Sequence, residues 1–154
     1  MEIKNSTLLQ LSNVLYSFSN KKVPFSLTIS KNIKAVNAKI EEYNEKRIAI
    51  IDEFALKTDD GDYLGIVNPE SETGERFIKP TNLNEIEIDN REEMIKQIID
   101  LDNTIISVEI ITLDLDKKYF DTTINSVSTI GEFVDTNVEA NLINAMVELG
   151  LMII

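Results

Sequence analysis

Apolar residues recur at spacings of three and four through the first third of the chain. Leu8, Leu11, Leu15 and Phe18 form one such stripe, which is how one face of a helix reads in sequence. Asn5 is placed to cap that helix, and Ser19-Asn20-Lys21-Lys22 breaks it. Pro24 suits the first turn of a second helix, where its missing N–H would have no partner anyway. In that helix Ile29, Ile33, Val36, Ile40, Tyr43, Arg47, Ile50 and Phe54 step by four and three without a slip. This is a heptad seam with Arg47 as its one polar entry. Lys31, Lys34, Lys39, Glu41, Glu42 and Glu45 fall off the seam, as a solvated face requires. Taken from Phe25 to Lys57, the helix would be roughly 50 Å long at about 1.5 Å per residue. That is long for a compact domain of this chain length. Either the fold is elongated, or the seam is covered by the chain's other helices, or a second copy shares it.

The period then changes. Thr58-Asp59-Asp60-Gly61-Asp62 reads as a helix stop and a hairpin entry, with Asp-Gly supplying a positive φ. Tyr63–Val67 and Glu75–Ile78 flank a polar link and predict a small β-hairpin. Residues 79–88 run extended. Asn90 and Glu93 stand in capping-box relation, and Met94, Ile95, Ile98 and Leu101 predict the apolar side of a third helix. Residues 104–115 are rich in β-branched side chains and predict a strand. Ile106, Val108 and Ile110 lie on one face, Ile105, Ile111 and Leu113 on the other, so both faces are expected to be covered. Residues 116–133 are poorly periodic, with Tyr119, Phe120 and Ile124 as anchors. Thr136 and Glu139 open a last helix with Val138, Leu142, Ala145, Met146 and Leu149 on its apolar side. Gly150 is its C-cap, and the apolar end Leu151–Ile154 docks on the core or on a partner. The expected fold is one α+β domain over residues 1–154. It has an N-terminal helical hairpin with one long heptad-patterned helix, a small antiparallel β section and a C-terminal helix.

Charge adds an asymmetry. The net charge of −12 divides into +3 over residues 1–57 and −15 over residues 58–154, a helical half and an acidic α+β half. Such a surface repels nucleic acid and membrane and favours a basic protein partner. No apolar run approaches the roughly 18 residues of a bilayer span. The start, MEIKNSTLL, lacks the basic-then-apolar order of a signal peptide, so a cytoplasmic location is expected.

Candidate chemistry is sparse. The chain has no cysteine and no histidine, which removes thiol nucleophiles, zinc thiolates and the commonest general base near neutral pH. Asp59, Asp60 and Asp62 around Gly61 fail as a calcium loop. With Gly61 sixth, the first position falls on Leu56, which has no ligating side chain. Asp114 and Asp116, with Asp121 nearby, leave magnesium as the one plausible ion, and a solvated strand end explains them as well; the same holds for Asp100 and Asp102. Ser30-Lys31 and Ser19 near Lys21 fall on a helix surface and in a turn. No cofactor is expected, and no glycine falls at phosphate-loop spacing.

The segment VPFSLTISKNIKAVNAKIEEYNEKRIAIIDEF resembles small uncharacterised proteins encoded by tailed phages and prophages of Gram-positive bacteria. Pro24, Ile29, Lys31-Asn32-Ile33, Tyr43, Arg47 and Phe54 match the order of that family's helix. Thr58-Asp59-Asp60-Gly61 falls at its acidic turn, and ELGLMII at its apolar end. The match lies mainly in residues 1–62, and residues 63–135 depart from it. The resemblance implies a phage protein acting in the infected cell, with no activity to carry over. The expectation is a non-enzymatic protein that binds a host protein, itself basic or nucleic-acid-binding, through Asp59, Asp60, Asp62, Glu85, Glu87, Asp114 and Asp116. Inhibition of an anti-phage defence system such as a nuclease, in the manner of an anti-CRISPR protein, is a natural use. The alternative is a virion-assembly or tail-region accessory protein that forms a homo-oligomer through the seam residues Ile29, Ile33, Val36, Ile40, Tyr43, Ile50 and Phe54.

Overall fold

The computed structural model describes residues 1–19, 26–114, 116–121, 126–129 and 140–153. The protein is α+β. Its described elements are β1 (Glu2–Lys4), α1 (Leu8–Ser19), α2 (Ser26–Phe54), α3 (Arg91–Asn103), β2 (Ile105–Ser107), β3 (Leu113–Asp114), β4 (Lys118–Asp121), β5 (Ser126–Thr129), α4 (Ala140–Glu148) and β6 (Met152–Ile153). They form two compact units, Met1–Tyr43 with Asn103–Ile154, and Asn44–Asp102. The boundary falls inside α2, not at the charge change near residue 58.

The heptad seam of α2 divides at that boundary. Ile29 and Val36 are fully buried in the core of the first unit, and Ile33, Ile40 and Tyr43 pack against it. Ile50 and Phe54 pack against a second core made by Ile51, Ala55, Ile86 and Met94. The period continues because one helix serves both cores. The helix ends at Phe54, three residues short of the predicted Lys57, and Asp89 donates its backbone N–H to the freed carbonyl of Phe54. Pro24 and the Ser19–Lys22 break lie largely outside the described residues.

In the first unit Leu8, Leu11, Leu15 and Phe18 of α1 are all buried, as their spacing predicts. Tyr16 accepts a hydrogen bond from Asn37 Nδ2 across the helical hairpin at 2.9 Å. Asn5 sits in a 3-10 turn, Asn5–Thr7, that runs into α1, and its backbone N–H goes to Thr104 O. The four residues before it contain a strand that no periodicity announces. β1 pairs antiparallel with β2, Ile3 opposite Ile106, and Met1 continues the ladder to Val108.

The predicted strand over 104–115 is interrupted. Ile106, Val108 and Ile110 face inward as expected, but Ile105 and Ile111 are exposed and the next buried residue is Leu113. The inward phase slips between 110 and 113, and Asn32 sits at the slip. Its side-chain amide donates from Nδ2 to Ile111 O and accepts at Oδ1 from Ile111 N–H, both at 2.9 Å. One buried asparagine on a helix thus takes the place of a neighbouring strand. Beyond the slip β3 pairs in parallel with β6, Leu113 opposite Met152.

That pairing accounts for the apolar C-terminal residues. Leu151 and Met152 are buried in the core, so this part of the predicted tail docks within the chain. Gly150 has φ 69°. Leu151 N–H bonds to Met146 O and Gly150 N–H to Val147 O, the paired bonds of a Schellman cap. In α4 the buried residues are Ile143 and Met146, with Leu142, Ala145 and Leu149 beside them. Thr136, Val138 and Glu139 lie outside the described residues, as do Ile124 and the side chains of Tyr119 and Phe120. β4 and β5 pair antiparallel, Tyr119 opposite Ser128, where the sequence shows no period.

Candidate interaction surface

Residues 44–102 carry sixteen acidic and seven basic side chains, a balance of −9 out of the chain's −12. Acidity is thus concentrated in one unit. Its β part is built from isolated bridges: Ala55 with Ile88, Lys57 with Tyr63, Gly65 with Ile86, and Val67 with Arg76. Three backbone bonds close a ring, Leu56 N–H to Glu87 O, Glu87 N–H to Leu64 O, and Leu64 N–H to Leu56 O. Three short segments are held together this way although none is long enough to register as a strand.

The Asp59-Asp60-Gly61-Asp62 turn grows from one corner of that ring. Gly61 has φ 85°. Gly61 N–H bonds to Thr58 O at 2.9 Å and Thr58 N–H to Asp62 O at 2.8 Å. This is a turn closed by a glycine bulge, in which the left-handed residue is the one without a Cβ. The predicted hairpin entry is therefore present. Asp59, Asp60 and Asp62 are exposed on it. Lys79 Nζ lies 3.4 Å from Asp62.

The other predicted acidic residues are placed differently. Glu85 is half-buried in a short 3-10 turn, and its backbone carbonyl accepts from Ile66 N–H. Glu87 is also half-buried, and Arg76 Nη1 bridges its carboxylate at 2.9 Å and Gly65 O at 2.7 Å. Glu87 thus orients an arginine that pins the hairpin. Asp114 and Asp116 belong to the other unit. Asp114 Oδ1 accepts the backbone N–H of Asp116 at 3.0 Å, a local turn that engages this carboxylate oxygen. Among the described residues no three acidic side chains converge on a point where a metal ion could sit.

Sequence reasoning missed a polar cluster at the end of α2. Tyr63 O–H donates to Asp52 Oδ1 at 2.7 Å, Lys57 Nζ stands 3.4 Å from the same oxygen, and it lies 5.8 Å from the Tyr63 ring centre. The hydrogen bond from Tyr63 holds the Asp52 carboxyl below its usual range; partial desolvation opposes this and Lys57 adds to it. The same bond, then burial and the Asp52 charge, raises the Tyr63 phenol above 10.0. Asp52 therefore contributes stability that is lost as pH falls through its lowered value. Tyr63 contributes stability that is lost as pH rises through its raised value. Asp52→Ala, which removes both the hydrogen-bond acceptor and the charge but not the burial, is expected to lower the titration of one of the four tyrosines toward pH ~10 in absorbance at alkaline pH. An unchanged set of four transitions would show that the bond is absent in solution.

Two further observations bear on the alternatives. Ile29 and Val36 are buried within the chain itself, which removes two seam positions from any oligomer face. No helix among the described residues is long and apolar enough to cross a membrane. Comparisons with protein-family models, with curated proteins and with solved structures found no match for this chain.

Proposed function

We propose that this chain is a non-enzymatic binding protein of phage type, which engages a basic host protein in the cytoplasm of an infected cell through acidic surface on residues 44–102. Inhibition of a defence nuclease fits this reading, because carboxylates on a firm turn can occupy a groove that otherwise holds phosphates. The observation that carries the proposal is the turn at 58–62. It presents Asp59, Asp60 and Asp62 to solvent on a backbone fixed by its own hydrogen bonds, in the unit with a balance of −9. The lack of cysteine and histidine supports binding over catalysis.

The test is a low-salt pull-down from bacterial cells, with wild type and the triple variant Asp59→Asn, Asp60→Asn, Asp62→Asn compared by mass spectrometry. A basic protein retained by wild type and depleted at least several-fold by the variant supports the reading. An identical set of captured proteins removes it.

A further inference from the structure

The third helix carries more apolar surface than its core uses. Met94, Ile95, Ile98, Ile99 and Leu101 spread over about 160° of the helix at about 100° per residue. The core takes one part of that arc: Met94 is fully buried, and Ile98 packs beside it. Ile95, which the sequence places on the apolar side, is 45% exposed, and Ile99, one turn further on, is 51% exposed. They line a groove of about 600 Å³ with Asn90, Glu92, Glu93 and Lys96. Two isoleucines at i and i+4 make a ridge of the kind that packs against another helix.

The surrounding charge selects the occupant. Glu92 and Glu93 open the groove. Lys96 lies 3.9 Å from Glu93, and Arg91 turns its guanidinium to the carbonyls of Leu83 and Ile86. A second copy of this unit would bring −9 against −9, and an anionic membrane would be repelled likewise. A cationic helix with an apolar stripe meets both the ridge and its rim.

We infer that the Ile95–Ile99 face of α3 docks a basic amphipathic helix of a protein partner. This rests on the functional reading above and adds to it an apolar anchor and a binding mode. The ridge supplies contact area, and the flanking carboxylates set orientation and exclude acidic helices.

The probe is a fluorescein-labelled synthetic peptide of leucine and lysine in helical period, with a scrambled peptide of the same composition as control. Binding is followed by anisotropy against wild type, against Ile95→Gln with Ile99→Gln, and against the triple asparagine variant of the 58–62 turn. Glutamine keeps helix propensity, and circular dichroism checks that each variant is folded. The expected result is that the glutamine pair weakens the periodic peptide at least about tenfold, and that the scrambled peptide binds no better to wild type than to that variant. Equal affinity of wild type and the glutamine pair overturns the inference, as does equal binding of the scrambled and periodic peptides. If the turn variant alone loses binding, the inference falls and the functional reading stands. If neither variant changes it, both fall. A wild-type dimer in sedimentation that the glutamine pair dissociates assigns the face to a second copy, and also overturns the inference.

Discussion

Replacing Gly65 with alanine is expected to destabilise the unit of residues 44–102 by about 3–5 kcal/mol, the range of the most damaging core changes. A Cβ at this position would lie 2.1 Å from Phe77 O and 2.9 Å from Phe77 C and Cβ. The nearest atoms are backbone, so no rotamer change relieves the overlap. The strands must part, which breaks the Phe77 N–H to Ile66 O and Asn68 N–H to Glu75 O bonds and disturbs Arg76, whose guanidinium bonds to Gly65 O. Gly74→Ala is the control. Gly74 has φ 73° and open space around it, so alanine there costs only the left-handed backbone penalty of about 1–2 kcal/mol. Denaturant unfolding ranks the two, and hydrogen exchange at Phe77 and Asn68 locates the damage. A Gly65→Ala protein within about 0.5 kcal/mol of wild type, a typical surface effect, would contradict the close approach of these strands.

The second large effect is expected at Asn32. Its side chain is 1% exposed and makes both hydrogen bonds to Ile111. Asn32→Leu keeps the branching and the number of heavy atoms and removes a donor and an acceptor together. Leaving buried polar groups unmade costs roughly 1–3 kcal/mol each. Ile111 is 48% exposed, so water recovers part of this, and the expected total is about 2–3 kcal/mol. Asn32→Asp gives a sharper result. Ionised, it keeps the acceptor for Ile111 N–H but places a second anionic oxygen against Ile111 O. Protonated, it restores the donor. The folded-state pKa of the new carboxyl is therefore raised, so its stability contribution is present below the unfolded carboxylate value and lost as pH rises through the raised one. Relative to wild type, the Asn32→Asp protein is expected to be weaker at pH ~7 than at pH ~4. A deficit that does not change with pH would mean that the asparagine does not bridge to Ile111.

The contrast between these two positions shows what sequence could convey. The seam of α2, the stripe of α1, the Asn90 cap, the Asp-Gly turn and the Gly150 cap are all local, and each depends on residues within a few positions of one another. Asn90 does accept Glu93 N–H at 3.2 Å. What escaped depends on distant partners. β1 is three residues long, and Glu2 finds Ser107 far along the chain. Asn32 sits off the heptad seam, where a polar residue reads as solvated, and only its partner at Ile111 makes it a core residue. Gly65 shows no turn or cap signal, and the crowding comes from Phe77. In α3 the apolar stripe is legible but its excess is not, because periodicity does not say how much of a stripe the core will cover. The acidic surface was legible as a charge imbalance. That Glu87 would be bound by Arg76, and that Asp114 and Asp116 would fall in the other unit, was not.

The proposed function is the binding of a basic partner through acidic surface. The most direct measurement is the affinity of purified protein for the protein captured by the pull-down, in a salt series from about 50 to about 500 mM, over which the screening length falls from about 14 Å to about 4 Å. The predicted result is a loss of at least about tenfold in affinity across the series, with a smaller loss for the Asp59, Asp60, Asp62 triple asparagine variant. An affinity that holds or rises with salt, unchanged by that variant, would contradict it.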